Sequence, residues 1–469
     1  MTRVILFDLG DTLEINDVLR PGAIETLTAL RGLRDADGDP VALGLVSDFV
    51  MPQHPSEIPS IRRQYLDILD ALGIRSFFEP VDERVTLSTE VGVGKPDARV
   101  FRAAIDKIHP GAHYHTAIFI TENAHHVDAA RQLGLSAILV RAPGQPVGEV
   151  EHLSDLVPLI RRLLEFDPCG KRAAKAKGRF RSQTSKAKAA DPAITQIVER
   201  VDEARLLATV KGLGDFGTRW SHSAHIGKVT DWIHAQFVAA GYGGAGECRF
   251  QQFTLPGAGL QRNVLASKGA SDRGIILLCS HYDSVSERPK DVAPGADDDG
   301  SGVAATLEIA RLLAGIDVKR QVLFAAFGGE EQGLFGSGEC ADIAARERWP
   351  IHVVINMDMI GASAATPMSV VVEYDQGNRN PANDTAAKAF AMVMAQAGAD
   401  YTSLDIEHTD IWNSDYMPFE AKGFACIGAY EGGDNPFYHK STDTVDRLDG
   451  AYLKAVTQMV LATTLVLAR

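Results

Sequence analysis

The chain has 469 residues, more than a single hydrophobic core usually serves, so two or more domains are expected. Hydrophobic residues make up 45% and charged residues 23% of the composition, which excludes a disordered chain and a cysteine-dense scaffold. The formal net charge of −14 disfavours nucleic-acid and membrane partners. The first apolar run is too short for a signal peptide, and the five cysteines form no CxxC pair, so the sequence predicts a cytoplasmic protein.

The first predicted elements are short apolar runs that alternate with segments of helical periodicity. The runs are residues 4–7, 41–46, 117–120 and 137–140. This alternation is typical of a parallel α/β sheet. We therefore predict a first α/β domain over residues 1–165.

Several polar residues stand where these runs end. Asp8 follows the first run, Ser47 follows the second, Lys95 precedes a predicted helix, and Glu122 follows the run 117–120. A nucleophilic carboxylate, a hydroxyl, a lysine and a metal-binding acid are the groups that an aspartyl-phosphate mechanism uses. Together they resemble the haloacid dehalogenase-like superfamily over about residues 1–160, which implies a Rossmann-like parallel sheet and a possible Mg²⁺ ion.

The motifs of this first domain also depart from the superfamily. Gly10 occupies the position where phosphatase members carry the general acid, Asp11 is displaced by one residue, and Thr121-Glu122 replaces a Gly-Asp pair. Without an acid for the leaving group, turnover is expected to be weak. We therefore favour a regulatory or structural role for residues 1–165, with a weak Mg²⁺-dependent phosphatase as the alternative.

The composition changes after the first domain. Between Pro168 and Ala190 there are eight basic residues and no acidic residue. We interpret residues 166–192 as an exposed basic linker, in preference to a nucleic-acid-binding tail.

The second half again alternates helical and strand-like segments. Ile226, Val229, Ile233 and Phe237 mark one face of a helix that should end near Gly241. Strand-like runs follow at residues 274–279, 321–327, 353–357, 368–373 and 425–429. We predict a second α/β domain over residues 193–469 with a largely buried sheet. Its last apolar segment, residues 455–468, is too short to span a bilayer and is predicted to be a buried helix.

Side chains suited to metal binding follow successive strands of this second domain. They are His281, the acidic run Asp297–Asp299, the pair Glu330-Glu331, Asp358 and His439. Each feature has an ordinary explanation by itself: a surface histidine, an acidic first turn of a helix, or a solvated glutamate pair. The prediction of a site depends on their convergence, because the carboxyl ends of strands in an α/β sheet meet at one edge.

These residue types also suit a particular chemistry. Imidazoles and carboxylates bind zinc, and a catalytic zinc pair needs a bridging ligand. Asp283, two residues after His281, is placed to accept the second ring N–H of that histidine. Of two adjacent glutamates, one can bind metal while the other accepts a proton from water.

The motifs HYDS, PGADDDGSG, GGEEQGLFGS, NMDM and YHKSTDTVD resemble the bacterial leucyl aminopeptidase family of co-catalytic zinc exopeptidases. The likeness covers about residues 195–469. It implies an α/β/α sandwich with a mixed sheet and two zinc ions. By this resemblance Asp298 bridges the ions, His281 and Asp358 complete one site, and Glu331 and His439 complete the other.

The same resemblance implies the chemistry. Glu330 would be the general base and Tyr438 a donor to the developing oxyanion, with peptides as substrates and the N-terminal peptide bond as the target. Asp415 lies in a Ser-Asp-Tyr sequence where the family more often has Ser-Asp-His. A glutaminyl cyclase or carboxypeptidase on the same scaffold, and a non-catalytic binding protein, are the alternatives.

Overall fold

The structure is a computed structural model that describes residues 4–35, 39–110, 112, 114–133, 135–141, 150–165, 180–181, 190–361, 368–433 and 435–469. The chain forms two compact units, unit 1 over Met1–Cys169 and unit 2 over Gly170–Arg469. Most of the predicted basic linker, residues 166–179 and 182–189, lies outside the described residues.

Unit 1 contains a parallel sheet. The strands of unit 1 are β1 (Val4–Phe7), β2 (Glu14–Ile15), β3 (Val18–Leu19), β4 (Ala42–Ser47), β5 (Val85–Leu87), β6 (Ala117–Thr121) and β7 (Ser136–Leu139). Strands β2 and β3 form a separate hairpin. The five-stranded sheet has the order β5-β4-β1-β6-β7, and all of its neighbouring strands are parallel. The predicted parallel α/β architecture of the first half is therefore confirmed.

Helices connect the strands of unit 1. They are α1 (Ala23–Arg31), α2 (Ile58–Ala71), α3 (Val81–Arg84), α4 (Ser88–Val91), α5 (Ala98–Ile108), α6 (Ala124–Gln132) and α7 (Leu156–Glu165). Helix α5 shows how the sequence specifies them. The Asp97 side chain caps its first turn by accepting the N–H of Arg99, and Val100, Phe101, Ala104 and Ile105 form its buried stripe at helical spacing.

Unit 2 contains a nine-stranded sheet. The strands are β8 (Phe180–Arg181), β9 (Cys248–Leu255), β10 (Gly259–Lys268), β11 (Ile275–His281), β12 (Gln321–Phe327), β13 (Ile351–Met357), β14 (Ser369–Tyr374), β15 (Asp405–Asp410) and β16 (Cys426–Tyr430). Their order is β8-β15-β14-β16-β13-β11-β12-β10-β9. The central strands β16, β13, β11 and β12 run parallel, whereas β10 and β14 pair with them in antiparallel fashion, so the sheet is mixed.

Two helical layers cover this sheet. The helices are α8 (Pro192–Val198), α9 (Glu203–Gly214), α10 (Ile226–Ala239), α11 (Gly300–Leu313), α12 (Phe335–Glu347), α13 (Asp384–Tyr401), α14 (Met417–Glu420) and α15 (Gly450–Ala468). Ile276 and Leu278 of β11 pack with α9, α11 and α15, while Leu277 and Cys279 pack with α12 and α14. Because successive side chains of a strand point to opposite faces of the sheet, β11 contributes to a hydrophobic core on each face, as in an α/β/α sandwich.

Helix α15 is the most apolar helix of unit 2. It is long and apolar enough to cross a membrane, but 72% of its apolar window is buried inside the unit. Tyr452, Val456, Met459 and Val460 belong to the larger core cluster. The helix is therefore a core helix, as predicted. The prediction that this segment is too short to span a bilayer was wrong, because the helix begins at Gly450 and has 19 residues.

Candidate metal centre

The central strands of unit 2 bring three candidate ligands and the candidate base together. His281 is the last residue of β11, Glu330 and Glu331 follow β12, and Asp358 follows β13. These three strands are parallel neighbours, so their carboxyl ends meet at one edge of the sheet. The structure thus places the residues together as the sequence pattern predicted.

The loop before α11 contributes the acidic run. Asp299 caps α11 by accepting the N–H of Gly302 at 2.9 Å, and it also accepts the N–H of His281 at 3.0 Å. A Cβ at Gly302 would collide with the carbonyl oxygen of Met357, so only glycine lets the start of α11 approach β13 this closely. The loop is thereby held against both strands.

Asp298 lies between the two histidines. Its Oδ1 is 3.2 Å from Nε2 of His281, and its Oδ2 is 3.2 Å from Nε2 of His439. Donor atoms of His281, Glu330 and Asp358 lie within 4.8 Å of one another, and so do those of Asp298, Glu331 and His439. The five predicted ligands and the predicted base therefore form two adjacent triads joined at Asp298.

The centre concentrates negative charge in a buried place. The buried acids are Asp283, Asp297, Asp298, Asp299, Glu330, Glu331, Asp358, Asp415 and Asp443. Burial, with repulsion from neighbouring carboxylates, raises the pKa of Glu331 to about 7, that of Asp443 to about 8, and that of Glu330 well above its usual value. Burial also acts on Asp298, but hydrogen bonds from His281 and His439 outweigh it and lower the pKa of that carboxyl.

This donor set fits a pair of zinc ions. Each triad offers one imidazole nitrogen and carboxylate oxygens, which are zinc ligands, and one carboxylate faces both triads as a bridge requires. Crowded buried carboxylates are stable only with nearby positive charge. The buried Arg219 guanidinium directs its hydrogen bonds to the carbonyl oxygens of Tyr282, Pro294 and Gly295 and so supports the backbone around the acidic loop.

Asp283 supports the centre by a different contact from the one predicted. Nδ1 of His281 lies 3.0 Å from the backbone carbonyl of Asp283, while the carboxylate of Asp283 is 3.8 Å away. The carboxylate instead accepts the backbone N–H groups of Glu330 at 3.2 Å and Glu331 at 3.3 Å. The predicted hydrogen bond from the imidazole to the carboxylate was therefore wrong, because the carboxylate accepts the N–H groups of the loop after β12 and the imidazole bonds to the backbone carbonyl instead.

Sequence reasoning gave no role to Asp443, which holds the acidic loop in place. Its carboxylate accepts the backbone N–H groups of Asp297 at 3.0 Å and Asp298 at 3.1 Å. Its position in the YHKSTDTVD motif, four residues after His439, was the available signal. The loop that carries His439 therefore also fixes the backbone of Asp297 and Asp298.

A second missed group orients Asp358. The hydroxyl of Ser414 donates to Oδ2 of Asp358 at 2.5 Å, and Asn356 Nδ2 donates to that hydroxyl at 2.8 Å. Asp415, which follows, is fully buried, and burial raises its pKa to about 7. Tyr416, at the position where the family more often has histidine, directs its hydroxyl to Glu373 Oε2 at 2.8 Å.

Tyr438 lies beside the second triad. Its half-buried ring stacks on the imidazole of His439 with 3.8 Å between ring centroids. It also contacts a small apolar cluster of Met359, Val371 and Tyr430. The ring is thus fixed next to a candidate ligand.

The candidate residues of unit 1 also cluster. Lys95 Nζ lies 2.5 Å from Asp8 Oδ2, and the Thr12 hydroxyl donates to Glu122 Oε2 at 2.5 Å. The Ser47 hydroxyl shares a 2.7 Å hydrogen bond with the hydroxyl of the buried Tyr65. Burial raises the pKa of Asp8, although Lys95 opposes the shift. Of the four candidate residues, Asp8, Lys95 and Glu122 meet at the carboxyl ends of β1 and β6. The fourth, Ser47, bonds to Tyr65 of α2.

Comparisons with known proteins agree with the geometry of unit 2. Residues 263–464 match Peptidase family M28. A probable zinc metalloprotease of Pyrenophora teres f. teres is 32% identical over 196 residues, covering 37% of this chain and 42% of that protein. Aminopeptidase YwaD of Bacillus subtilis is 30% identical over 194 residues, covering 40% of each. The chain spans 40% to 61% of the length of the curated relatives it matches.

The fold has a solved counterpart. The crystal structure of LapB from Legionella pneumophila aligns with a TM-score of 0.53 and 20% sequence identity, covering 69% of this chain and 90% of that one. In sequence the chain is thus similar to probable zinc metalloproteases, and in fold it is similar to LapB.

Proposed function

We propose that unit 2 is an aminopeptidase that binds two zinc ions and hydrolyses the N-terminal peptide bond of peptides. The observation that carries the proposal is the position of Asp298, whose two oxygens each lie 3.2 Å from a different histidine. The similarity to an aminopeptidase of Bacillus subtilis supports cleavage at the N-terminus.

The ligand assignment follows the two triads. His281 and Asp358 would hold one ion, Glu331 and His439 the other, and Asp298 would touch both. When bound, two zinc ions lower the pKa of a water molecule and polarise the scissile carbonyl. The protein's own contribution is to fix the donor atoms through Asp283, Asp299, Asp443 and Ser414.

Glu330 is the proposed proton carrier. It shares the first triad with His281 and Asp358, its Oε2 lies 4.0 Å from His281 Nε2, and its backbone is fixed by Asp283. In the proposed reaction Glu330 accepts a proton from the attacking water and returns it to the leaving amine. Tyr438, held against His439, is the proposed donor to the oxyanion of the scissile carbonyl.

The test compares free and blocked substrates. We expect the purified full-length chain to release the amine from aminoacyl anilides but not from their N-acetylated forms, to lose activity on chelation, and to regain it with zinc. Glu330→Gln should retain zinc and lose about 10²–10⁴-fold in kcat. The exposed Glu347→Gln is the matched control.

Other outcomes identify the alternatives. Release of C-terminal residues would indicate a carboxypeptidase, and ring closure of N-terminal glutamine with one zinc per chain would indicate a glutaminyl cyclase. Zinc binding without turnover of any substrate in the panel would leave a binding protein and overturn the proposal.

For unit 1 we propose a haloacid dehalogenase-like domain with a regulatory or structural role. Asp8 forms an ion pair with Lys95, and the oxygens of Asp8 and Glu122 would suit Mg²⁺, but Gly10 supplies no acid for a leaving group. We expect hydrolysis of a generic phosphate ester to be at background level with Mg²⁺ present. Turnover that disappears in Asp8→Asn would establish the phosphatase alternative.

A further inference from the structure

A second group of carboxyl groups lies around the loop that follows β14. Asp375 and Glu420 are completely buried, and Asp410 is half-buried. They come from three different places: the end of β14, the end of β15, and the last residue of α14. None of them belongs to the triads of the candidate zinc centre.

One oxygen of each carboxylate binds this loop. Asp375 Oδ1 accepts from Asn378 N at 3.1 Å, and Asp410 Oδ1 accepts from Gln376 N at 3.0 Å. Asn378 Nδ2 donates to both aspartates, at 3.0 Å and 2.9 Å. Glu420 Oε1 accepts the N–H groups of residues 379 and 380 at 2.9 Å and 2.7 Å. Residues 376–380 therefore gather the three carboxylates on a single loop.

Other oxygens of residues around this loop have no hydrogen-bond partner among the described residues. They are Asp375 Oδ2, Glu420 Oε2 and Asn383 Oδ1, all buried and without a hydrogen bond. Asn383 is 5% exposed, and its Nδ2 donates to the carbonyl of Phe424 at 2.9 Å, which directs its oxygen away from that carbonyl. Buried oxygens without partners are costly, so each one requires a ligand or a proton.

The charges also act on one another. Burial raises the pKa of Asp410 and of Glu420, and the negative charge of Asp375 adds to the increase in both. Asp375 is therefore within electrostatic range of both other groups. A cation beside these carboxylates would relieve both the desolvation and the repulsion, as the charge of Arg379 already does in part for Glu420.

We propose that Asp375 Oδ2, Glu420 Oε2 and Asn383 Oδ1 bind a divalent cation of the calcium class. The donors are all oxygens, two from carboxylates and one from an amide, and such sets suit a hard cation rather than zinc. Calcium accepts six to eight oxygens in flexible geometry, so loop carbonyls and water would complete the shell.

The site has a structural consequence. Glu420 ends α14, and Tyr416, at the start of that helix, donates its hydroxyl to Glu373 on β14. A cation held by Asp375 and Glu420 would add a second tie between α14 and β14. The same segment carries Ser414, whose hydroxyl orients Asp358, so the cation would stiffen the support of the zinc centre.

The test uses the full-length protein, purified with zinc and without added calcium. Elemental analysis counts any calcium that is retained, and calorimetric titration with CaCl₂ and with MgCl₂ measures binding. We expect one calcium ion per chain, weaker binding of magnesium, and a Tm that rises with calcium concentration. The double variant Asp375→Asn/Glu420→Gln should bind no calcium, its Tm should not respond, and its zinc content should be unchanged. The exposed Asp272→Asn is the matched control.

Three results would overturn the proposal. The first is a wild type that neither contains calcium nor responds to it at millimolar concentration. The second is calcium binding that survives in the double variant, which would place the ion elsewhere. The third is a double variant that is more stable than the wild type without calcium bound to either, which would mean that the carboxyl groups hold protons. If the double variant does not fold, Asn383→Ala and the wild-type titration decide, because Asn383→Ala should weaken calcium binding and leave zinc in place.

Discussion

The hydroxyl of Ser414 donates a 2.5 Å hydrogen bond to Oδ2 of Asp358, across 56 residues of sequence. The other oxygen of Asp358, Oδ1, lies 3.8 Å from Nε2 of His281. Ser414 therefore fixes one oxygen of the Asp358 carboxylate, while the other oxygen faces His281 of the first triad. Contacts of this kind orient a ligand and maintain its basicity.

Replacing Ser414 by alanine should weaken the first metal site. The Oδ2 atom of Asp358 would lose the hydrogen bond from Ser414, and the carboxylate would rotate more freely. We expect zinc affinity at this site to fall by about 10–100-fold, with the fold retained. Chelator competition on Ser414→Ala measures the change, and the partly buried Ser271→Ala is the control. Wild-type affinity in Ser414→Ala would show that the β13 backbone alone positions Asp358.

Replacing Asp298 by asparagine should remove the ligand that the two proposed metal sites share. An asparagine has one carboxamide oxygen, so only one of the two histidine-facing positions would keep an acceptor. We expect Asp298→Asn to hold at most one zinc ion and to lose peptidase activity. Elemental analysis of Asp298→Asn beside the exposed Asp291→Asn checks this, and two retained ions would argue against a bridging role.

The exposed Glu287 connects two loops at the edge of the centre. Its carboxylate accepts the N–H of Ser441 at 2.8 Å and the hydroxyl of Ser441 at 2.5 Å, two residues after His439. We expect Glu287→Ala to release this loop and to weaken zinc binding at the second site by roughly 10-fold, near the lower end of effects outside the ligand shell. Selective loss of one of two ions during chelator titration is the measurement, with Arg288→Ala as control. Equal retention of both ions would show that the loop needs no such contact.

Arg219 should be important for stability rather than for chemistry. It is completely buried and donates to three backbone carbonyl oxygens around the acidic loop. Arg219→Met would remove this donor from all three carbonyls, of which that of Gly295 would still accept the N–H of Gly300. We expect the free energy of unfolding to fall by about 3–5 kcal/mol. Urea unfolding of zinc-depleted protein measures the change without contribution from bound metal, and the exposed Arg288→Met should have little effect. An unchanged unfolding midpoint would show that water replaces the guanidinium.

Much of the fold follows from local pattern. Strand β12 covers the predicted run 321–327, and β11, β13, β14 and β16 lie within a few residues of theirs, because strands buried on both faces are continuous apolar runs. Strands β9, β10 and β15 were not predicted, and neither was β8, whose two residues pair with β15 although they lie inside the range predicted as an exposed linker. Their residues alternate or are largely polar, as in Asp405–Asp410, because these strands lie at or near the edges of the sheet.

The sequence likewise predicted one part of the candidate site, its candidate ligands, but not the contacts that support them. The ligand candidates were visible in the sequence because each follows a buried strand or stands in a distinctive motif, and the order of parallel strands then brings them to one edge. The supporting contacts were not visible. The pairing of Asp443 with Asp297 and Asp298 joins residues 146 and 145 positions apart, and nothing in the spacing specifies it.

The sequence by itself determined two α/β units, the strand ends at which the candidate ligands occur, and the identity of the candidate metal-binding residues. Only the tertiary structure decided which atoms meet. Asp298 faces both histidines, the carbonyl of Asp283 rather than its carboxylate meets His281, and Ser414 orients Asp358. The physical reason is that residue type and strand periodicity are local properties, whereas the direction of a buried carboxylate depends on donors supplied by distant parts of the chain.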